Sequence, residues 1–86
     1  MKEINKDVVA IDESLNHHAR VCKEIGRTDE QIESYKADQY LNSLQGIDYA
    51  PLQYSIDRLK KYRAELENDR QRAETDIYNK FEHYYS

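Results

Sequence analysis

The stretch PLQYSIDRLKKYRAELENDRQRAETDI, residues 51–77, decides the fold because no glycine or proline interrupts it after its first position. Apolar or long-stemmed residues recur along it in alternating steps of four and three, which predicts a long amphipathic helix with a coiled-coil-like stripe. The stripe, called the seam below, consists of Leu52, Ile56, Leu59, Arg63, Leu66, Arg70, Ala73 and Ile77.

The helix that carries the seam is predicted to run from about residue 49 to 83. Asp48 and Pro51 favour a helix start, because proline is tolerated in the first turn of a helix. A helix of this length would span roughly 50 Å, which exceeds the size of a compact domain of this mass. It must therefore pack along other helices or along a second copy of the chain.

Two shorter helices are predicted upstream, at about residues 3–25 and 29–45. The first has a stripe in steps of four and three and ends at Gly26, since glycine readily adopts the left-handed conformation of a helix C-terminus. Thr28 and Gln31 then form the capping-box pattern of a new helix start, and Gly46 ends the second helix. The first stripe consists of Ile4, Val8, Ile11, Leu15, His18, Cys22 and Ile25.

The apolar face of the second helix is assigned to Ala37, Tyr40, Leu41 and Leu44, which turns Ile32 and Tyr35 toward another side. The resulting prediction is a single all-α domain, residues 1–86, with three helices. The two shorter helices form an antiparallel pair and pack along the long third one. We expect a homodimer through the seam, where Arg63 and Arg70 either fix the register of a coiled coil or extend their charged ends to solvent.

Composition excludes several classes of function. Charged residues make up 35% of the chain, yet the net charge is only -4, so neither a broad nucleic-acid-binding face nor an acidic mimic of DNA is expected. The basic run KKYR, residues 60–63, is crowded by acidic neighbours and is interpreted as a solvated helix surface. The start MKEINKDVVA has no long apolar run, and a single cysteine cannot form an internal disulfide. We therefore expect a cytoplasmic protein without a signal peptide or direct membrane insertion.

His18 and Cys22 are the residues with the strongest potential for chemistry. Their spacing of four places both on one helix face, but a zinc ion needs about four ligands, so only a dimer would complete a site of two cysteines and two histidines. A cysteine-histidine nucleophile would need a cleft and a third orienting group, and none is indicated. The prediction is a non-enzymatic protein without a cofactor, with both residues on a packing face.

Tyrosine is the most informative residue type, with eight copies against one phenylalanine and no tryptophan. A tyrosine combines a large apolar ring with a polar tip and is enriched in interfaces. Two clusters are candidate binding surfaces for a protein partner, although the tail cluster can equally pack within the chain. They are Tyr78, Phe81, Tyr84 and Tyr85 in the tail, and Tyr40, Tyr49 and Tyr54 near the second turn.

The stretches HHARVCKEIGRTDEQIESY and YAPLQYSIDRLKKYRAELENDR resemble the small cytoplasmic lysis-inhibition accessory proteins of T-even-type phages, encoded at the third rapid-lysis locus. The resemblance implies an antiholin-type regulator that binds the cytosolic part of the phage holin and delays lysis. It carries over no functional residue. Two alternatives stay open: a small inhibitor or adaptor of a soluble host complex, and a homo-oligomeric structural coiled coil.

Overall fold

The computed structural model describes the backbone of residues 6–85 and the side chains of residues 8–83. Within this range the chain forms two long antiparallel helices, α1 (Lys6–Leu44) and α2 (Ala50–Tyr85), and no strand. The hairpin measures 69 × 22 × 14 Å, with a radius of gyration of 19.6 Å. The prediction of an all-α fold is confirmed, whereas the prediction of three helices is wrong.

The two upstream helices are one continuous helix, because the predicted break at Gly26 does not occur. Gly26 lies within α1, and Gly46 is the one described glycine with a positive φ. Thr28 does not cap a new helix: its hydroxyl donates to the carbonyl oxygen of Glu24 at 2.8 Å, and only 1% of the residue is exposed. Ile25 and Ile32 are buried on either side of the glycine. Each buried isoleucine contributes about 1.5–3 kcal/mol, which outweighs the cost of about 1 kcal/mol for one helical glycine.

The turn between the helices forms where the sequence predicts it. Gly46 has a φ of 72°, its amide donates to the carbonyl of Ser43, and the amide of Ile47 donates to that of Asn42 at 2.8 Å. This pair of bonds is the Schellman motif, which satisfies the last carbonyls of a helix. Asp48 then accepts a hydrogen bond from the amide of Ala50 at 3.0 Å and so caps the start of α2.

The seam of α2 lies along the hairpin interface and packs against α1 of the same chain. Ile56, Leu66 and Ala73 are buried, and Leu66 forms one cluster with Val21 and Ile25 of α1. The other seam residues are half-buried: Leu52, Leu59, Arg63, Arg70 and Ile77. The third predicted helix is therefore paired within its own chain, by a single upstream helix that follows it along its length.

The stripe of α1 differs from the predicted one by about one residue in its N-terminal half. Ser14 and Val21 are buried, whereas Leu15 is exposed and Cys22 is half-buried. Steps of three and four continue through Gly26 to the turn without interruption, as expected for one coiled-coil-like helix. The buried or half-buried residues at these steps are Ile11, Ser14, His18, Val21, Ile25, Thr28, Ile32, Tyr35, Gln39 and Asn42.

Candidate functional site

A ladder of charged side chains runs along one edge of the helix interface. Arg63 donates to both carboxylate oxygens of Asp29 on α1, and its Nη1 lies 3.4 Å from Oε1 of Glu67. Arg70 continues the ladder, with Nη2 at 2.6 Å from Oε2 of Glu67. Positive and negative groups alternate, so the polar half of the seam is matched by carboxylates on both helices. The two seam arginines therefore have partners inside the hairpin.

The ladder reaches α1 again through Glu74 and His18. Oε1 of Glu74 lies 3.2 Å from Nε2 of His18 and 3.8 Å from Nε of Arg70. The Nε atom of Arg70 is buried and has no hydrogen-bond partner. The hydrogen bond with Asp29 is the main cause that raises the pKa of the Arg63 guanidinium above its usual range, so this arginine stays charged.

A second polar cluster joins the helices near the open end of the hairpin. The hydroxyl of Ser14 donates to Oδ2 of Asp76 at 2.8 Å, and the Lys80 ammonium donates to Ser14 at 2.8 Å. Lys80 also lies 3.0 Å from Oδ2 of Asp76. The hydrogen bonds from Ser14 and Lys80 lower the pKa of the Asp76 carboxyl below its ordinary value. The buried hydroxyl of Ser14 therefore has two hydrogen-bond partners: it donates to Asp76 and accepts from Lys80.

His18 and Cys22 lie side by side on α1, as their spacing predicts. The Cys22 sulfur is 3.7 Å from Nε2 of His18, and both side chains are half-buried beside the charged ladder. Among the described residues, no group of three histidine, cysteine, aspartate or glutamate side chains is arranged to hold a metal ion. The intersubunit zinc site stays a hypothesis about a dimer. In the hairpin, His18 belongs to the interface between the helices, where its Nε2 contacts the carboxylate of Glu74.

The basic run Lys60–Arg63 is partly occupied by contacts within the chain. Arg63 binds Asp29, and the Tyr62 hydroxyl donates to Oε1 of Glu24 at 3.4 Å. Partial burial and the Glu24 carboxylate raise the pKa of the Tyr62 hydroxyl. The run therefore includes two residues that join the helices: Arg63, which the sequence also placed on the seam, and Tyr62, which it placed only on a solvated helix surface.

A groove lies between the helices in the half of the hairpin near the turn. It has a volume of about 610 Å³ and is open to solvent. Its walls contain two tyrosines, two serines and one arginine, so its lining is mixed in polarity. The lining residues are Gln31, Ser34, Tyr35, Ser55, Arg58, Leu59 and Tyr62.

The tyrosine clusters predicted from the sequence are surface features where their side chains are described. Tyr78 and Phe81 are more than half exposed, and the side chains of Tyr84 and Tyr85 lie outside the described residues. Near the turn, Tyr40, Tyr49 and Tyr54 are all exposed. Tyr54 is on α2, where the Arg58 guanidinium stacks 5.8 Å from its ring centre.

The most concentrated exposed apolar surface surrounds the end of α1. Tyr40, Leu41 and Leu44 are 64%, 53% and 66% exposed, although the sequence assigned them to the apolar face by which the second helix would pack. The reason is that Ile32 and Tyr35 face α2 instead, which turns the 37, 40, 41 and 44 positions outward. Ile47 and Tyr49 follow in the turn and are also about half exposed. The end surface, as it is called below, consists of Ala37, Tyr40, Leu41, Leu44, Ile47 and Tyr49.

Within the described residues, no helix has an apolar stretch sufficient to cross a membrane. Comparison of the chain with protein-family models, with curated proteins and with solved structures found no match. These comparisons therefore assign no function to the chain.

Proposed function

We propose that this chain is a non-enzymatic helical module that works by contact with another protein. The observation that carries the proposal is the end surface, where four large apolar side chains on and after α1 are each more than half exposed: Tyr40, Leu41, Leu44 and Ile47. Contiguous exposed apolar surface of this kind marks an interaction site in a soluble protein. Tyrosine is enriched among the residues that dominate binding energy at interfaces, and apolar residues at helical spacing are typical of a helix that binds a partner through one face.

The two side chains best suited to chemistry, His18 and Cys22, are placed in a way that supports contact rather than catalysis. His18 is held by Glu74, and Cys22 lies against His18 within the interhelical interface. Nucleophilic catalysis needs a thiolate and a base aimed at a concave site where substrate can bind. Both side chains instead contribute to packing along the edge of the hairpin.

The first partner to test is the cytosolic part of a holin. This choice follows from the resemblance of residues 17–35 and 49–70 to the lysis-inhibition proteins of T-even-type phages. In that case the chain is a phage accessory regulator that delays host lysis from the cytoplasm. The alternative is an inhibitor or adaptor that binds a soluble host complex through the same surface.

A pull-down that compares matched variants tests the proposal. The tagged chain is used as bait in detergent-solubilised cells of its native setting, and membrane and soluble fractions are analysed separately by mass spectrometry. Leu44→Ser is expected to lose the partner, because it removes an apolar anchor from the end surface. Leu15→Ser is the matched control: it changes an exposed leucine of the same helix near the opposite end of the hairpin.

The outcomes separate the alternatives. A holin-like protein in the membrane fraction that depends on Leu44 supports lysis control, and a soluble complex with the same dependence supports the adaptor alternative. A partner that depends instead on Tyr78 or Phe81 moves the binding surface to the tail cluster. Recovery of no partner by the wild-type chain contradicts a contact function.

A homo-oligomeric coiled coil is the second candidate, and the large surface of the hairpin favours it. The chain exposes 6904 Å², whereas a compact monomer of 10.3 kDa is expected to expose about 5,400 Å². The excess of about 1,500 Å² exceeds the roughly 800 Å² that each partner buries in a standard interface. Sedimentation equilibrium at micromolar concentration measures whether a second copy covers this surface.

A further inference from the structure

The end surface lies in a segment that contains acidic but no basic residues. Residues 37–57 contain Asp38, Asp48 and Asp57 but no lysine or arginine, so this segment carries three of the four net negative charges. Elsewhere acidic and basic residues nearly cancel, and many of them pair within the hairpin, as in the ladder from Asp29 to Glu74. The exposed apolar side chains near the turn therefore have Asp38 and Asp48 as their charged neighbours within this segment, and Lys36, which precedes it, is paired with Glu33 at 3.4 Å.

The end surface also has the geometry of a helix-binding face. Positions 37, 40, 41 and 44 follow the spacing of one side of a helix, and this side points away from α2. The Schellman motif reverses the direction of the chain at Gly46. In this motif the residue after the glycine, here Ile47, commonly makes a hydrophobic contact with the last turns of the helix near Leu41. Asp48 is fixed beside this surface by its hydrogen bond from the amide of Ala50.

From this combination we infer that the end surface binds an amphipathic helix of a partner protein whose apolar stripe is flanked by lysine or arginine. The inference rests on the proposed contact function and names the chemical class of its partner. The apolar anchors supply affinity, while Asp38 and Asp48 select basic flanks and accelerate association. The same aspartates disfavour an anionic lipid surface, and they disfavour two end surfaces packed on each other, because like charges would meet.

Two synthetic helical peptides test the inference. Both carry the same leucine stripe at positions i, i+3, i+4 and i+7, with lysines at the flanking positions of one peptide and glutamates in the other. The full chain, labelled with ¹⁵N, is titrated with each peptide and followed by NMR. The lysine peptide is expected to shift the amides of Leu41, Leu44 and Ile47, with an affinity that falls several-fold between about 50 and 300 mM salt.

Variants of the chain separate the apolar contribution to peptide binding from the electrostatic one. Leu44→Ser should weaken binding of the lysine peptide about tenfold or more, because it removes an exposed leucine that the peptide would bury. Asp38→Asn combined with Asp48→Asn should weaken it several-fold and reduce its salt dependence. Asparagine at position 48 can still cap α2, so the fold is retained. Leu15→Ser and Asp12→Asn are the matched controls near the open end of the hairpin.

Equal affinity for the two peptides, or shifts confined to other parts of the hairpin, would overturn the inference. The proposed function fails separately, when the native pull-down recovers no partner. If a native partner depends on Leu44 but the lysine peptide does not bind, the contact function stands and the basic amphipathic partner is wrong.

Discussion

Arg63 on α2 holds Asp29 on α1 through two guanidinium nitrogens, and this pair crosses the interface near the middle of the hairpin. Arg63 occupies a seam position, where an apolar residue is the usual choice in a coiled coil. The sequence left two roles open for it, fixing register or extending to solvent. Its bond to a residue on the opposite helix favours the first role, within a single chain.

A double-mutant cycle tests whether Arg63 and Asp29 stabilise the register of the hairpin. Arg63→Gln, Asp29→Asn and the double variant are compared with the wild type by urea denaturation, followed by helical circular dichroism. We expect a favourable coupling free energy that weakens at high salt. Arg72 and Asp69, an exposed pair 3.8 Å apart within α2, provide the matched control and should show coupling near zero. Equal coupling in both cycles would remove the special role of Arg63.

The two glycines give opposite predictions for substitution by alanine. A methyl group on Gly26 would meet no atom within 4 Å, and its backbone is already helical, so Gly26→Ala should raise the free energy of unfolding by about 0.5–1 kcal/mol. Gly46 has a φ of 72°, so Gly46→Ala should lower it by about 1–2 kcal/mol. Chemical denaturation measures both. Destabilisation by Gly26→Ala would indicate that α1 does break at residue 26.

Gly26 and Thr28 also show how far the sequence predicts this fold. Helical periodicity correctly gives the helix content, the turn at Gly46 and the position of the seam on the packing face of α2, because these follow from local propensity and spacing. The homodimer through the seam stays a prediction. The end of a helix at Gly26 is a weaker local signal, and the burial of Ile25 and Ile32 against α2 overrides it. The stabilisation from burying Ile25 and Ile32 depends on α2, which lies far away in the sequence. The local capping pattern at residues 26–31 therefore gives the wrong prediction.

The candidate end surface depends on the same long-range information. Leu41 and Leu44 have the spacing of a buried face, and so does the stripe that contains Ile32 and Tyr35. A helix of three or four turns with two apolar sides can bury either of them. The unbroken α1 fixes the choice, because the stripe that begins at Ile11 continues through Ile25 to Ile32 and toward Asn42. The remaining face is left exposed, and it becomes the candidate site.

The pKa of Asp76 predicts a stabilising contribution that is lost in acid. Ser14 and Lys80 hydrogen-bond the carboxylate and lower its folded-state pKa, with His17 contributing electrostatically. The contribution is fully present above the unfolded-state pKa of about 4, and it is lost as pH falls through the lower folded-state value. Ser14→Ala should move the Asp76 pKa upward in an NMR titration of its carboxyl carbon. An unchanged pKa would show that the hydrogen bond from Ser14 does not lower the pKa of Asp76 and that Lys80 is its main cause.

Leu66 connects the stability of the hairpin to its association. Because Leu66 packs with Val21 and Ile25, Leu66→Ala should cost about 2–5 kcal/mol of unfolding free energy, and Glu65→Gln on the exposed side should cost little. Leu66→Asp should then remove helicity and the predicted homodimer together, in circular dichroism and sedimentation equilibrium. If the seam is shared between protomers, wild-type helicity should fall on dilution along with the average mass. A wild-type chain that dissociates with full helicity retained would place the dimer interface on the outer faces of a closed hairpin.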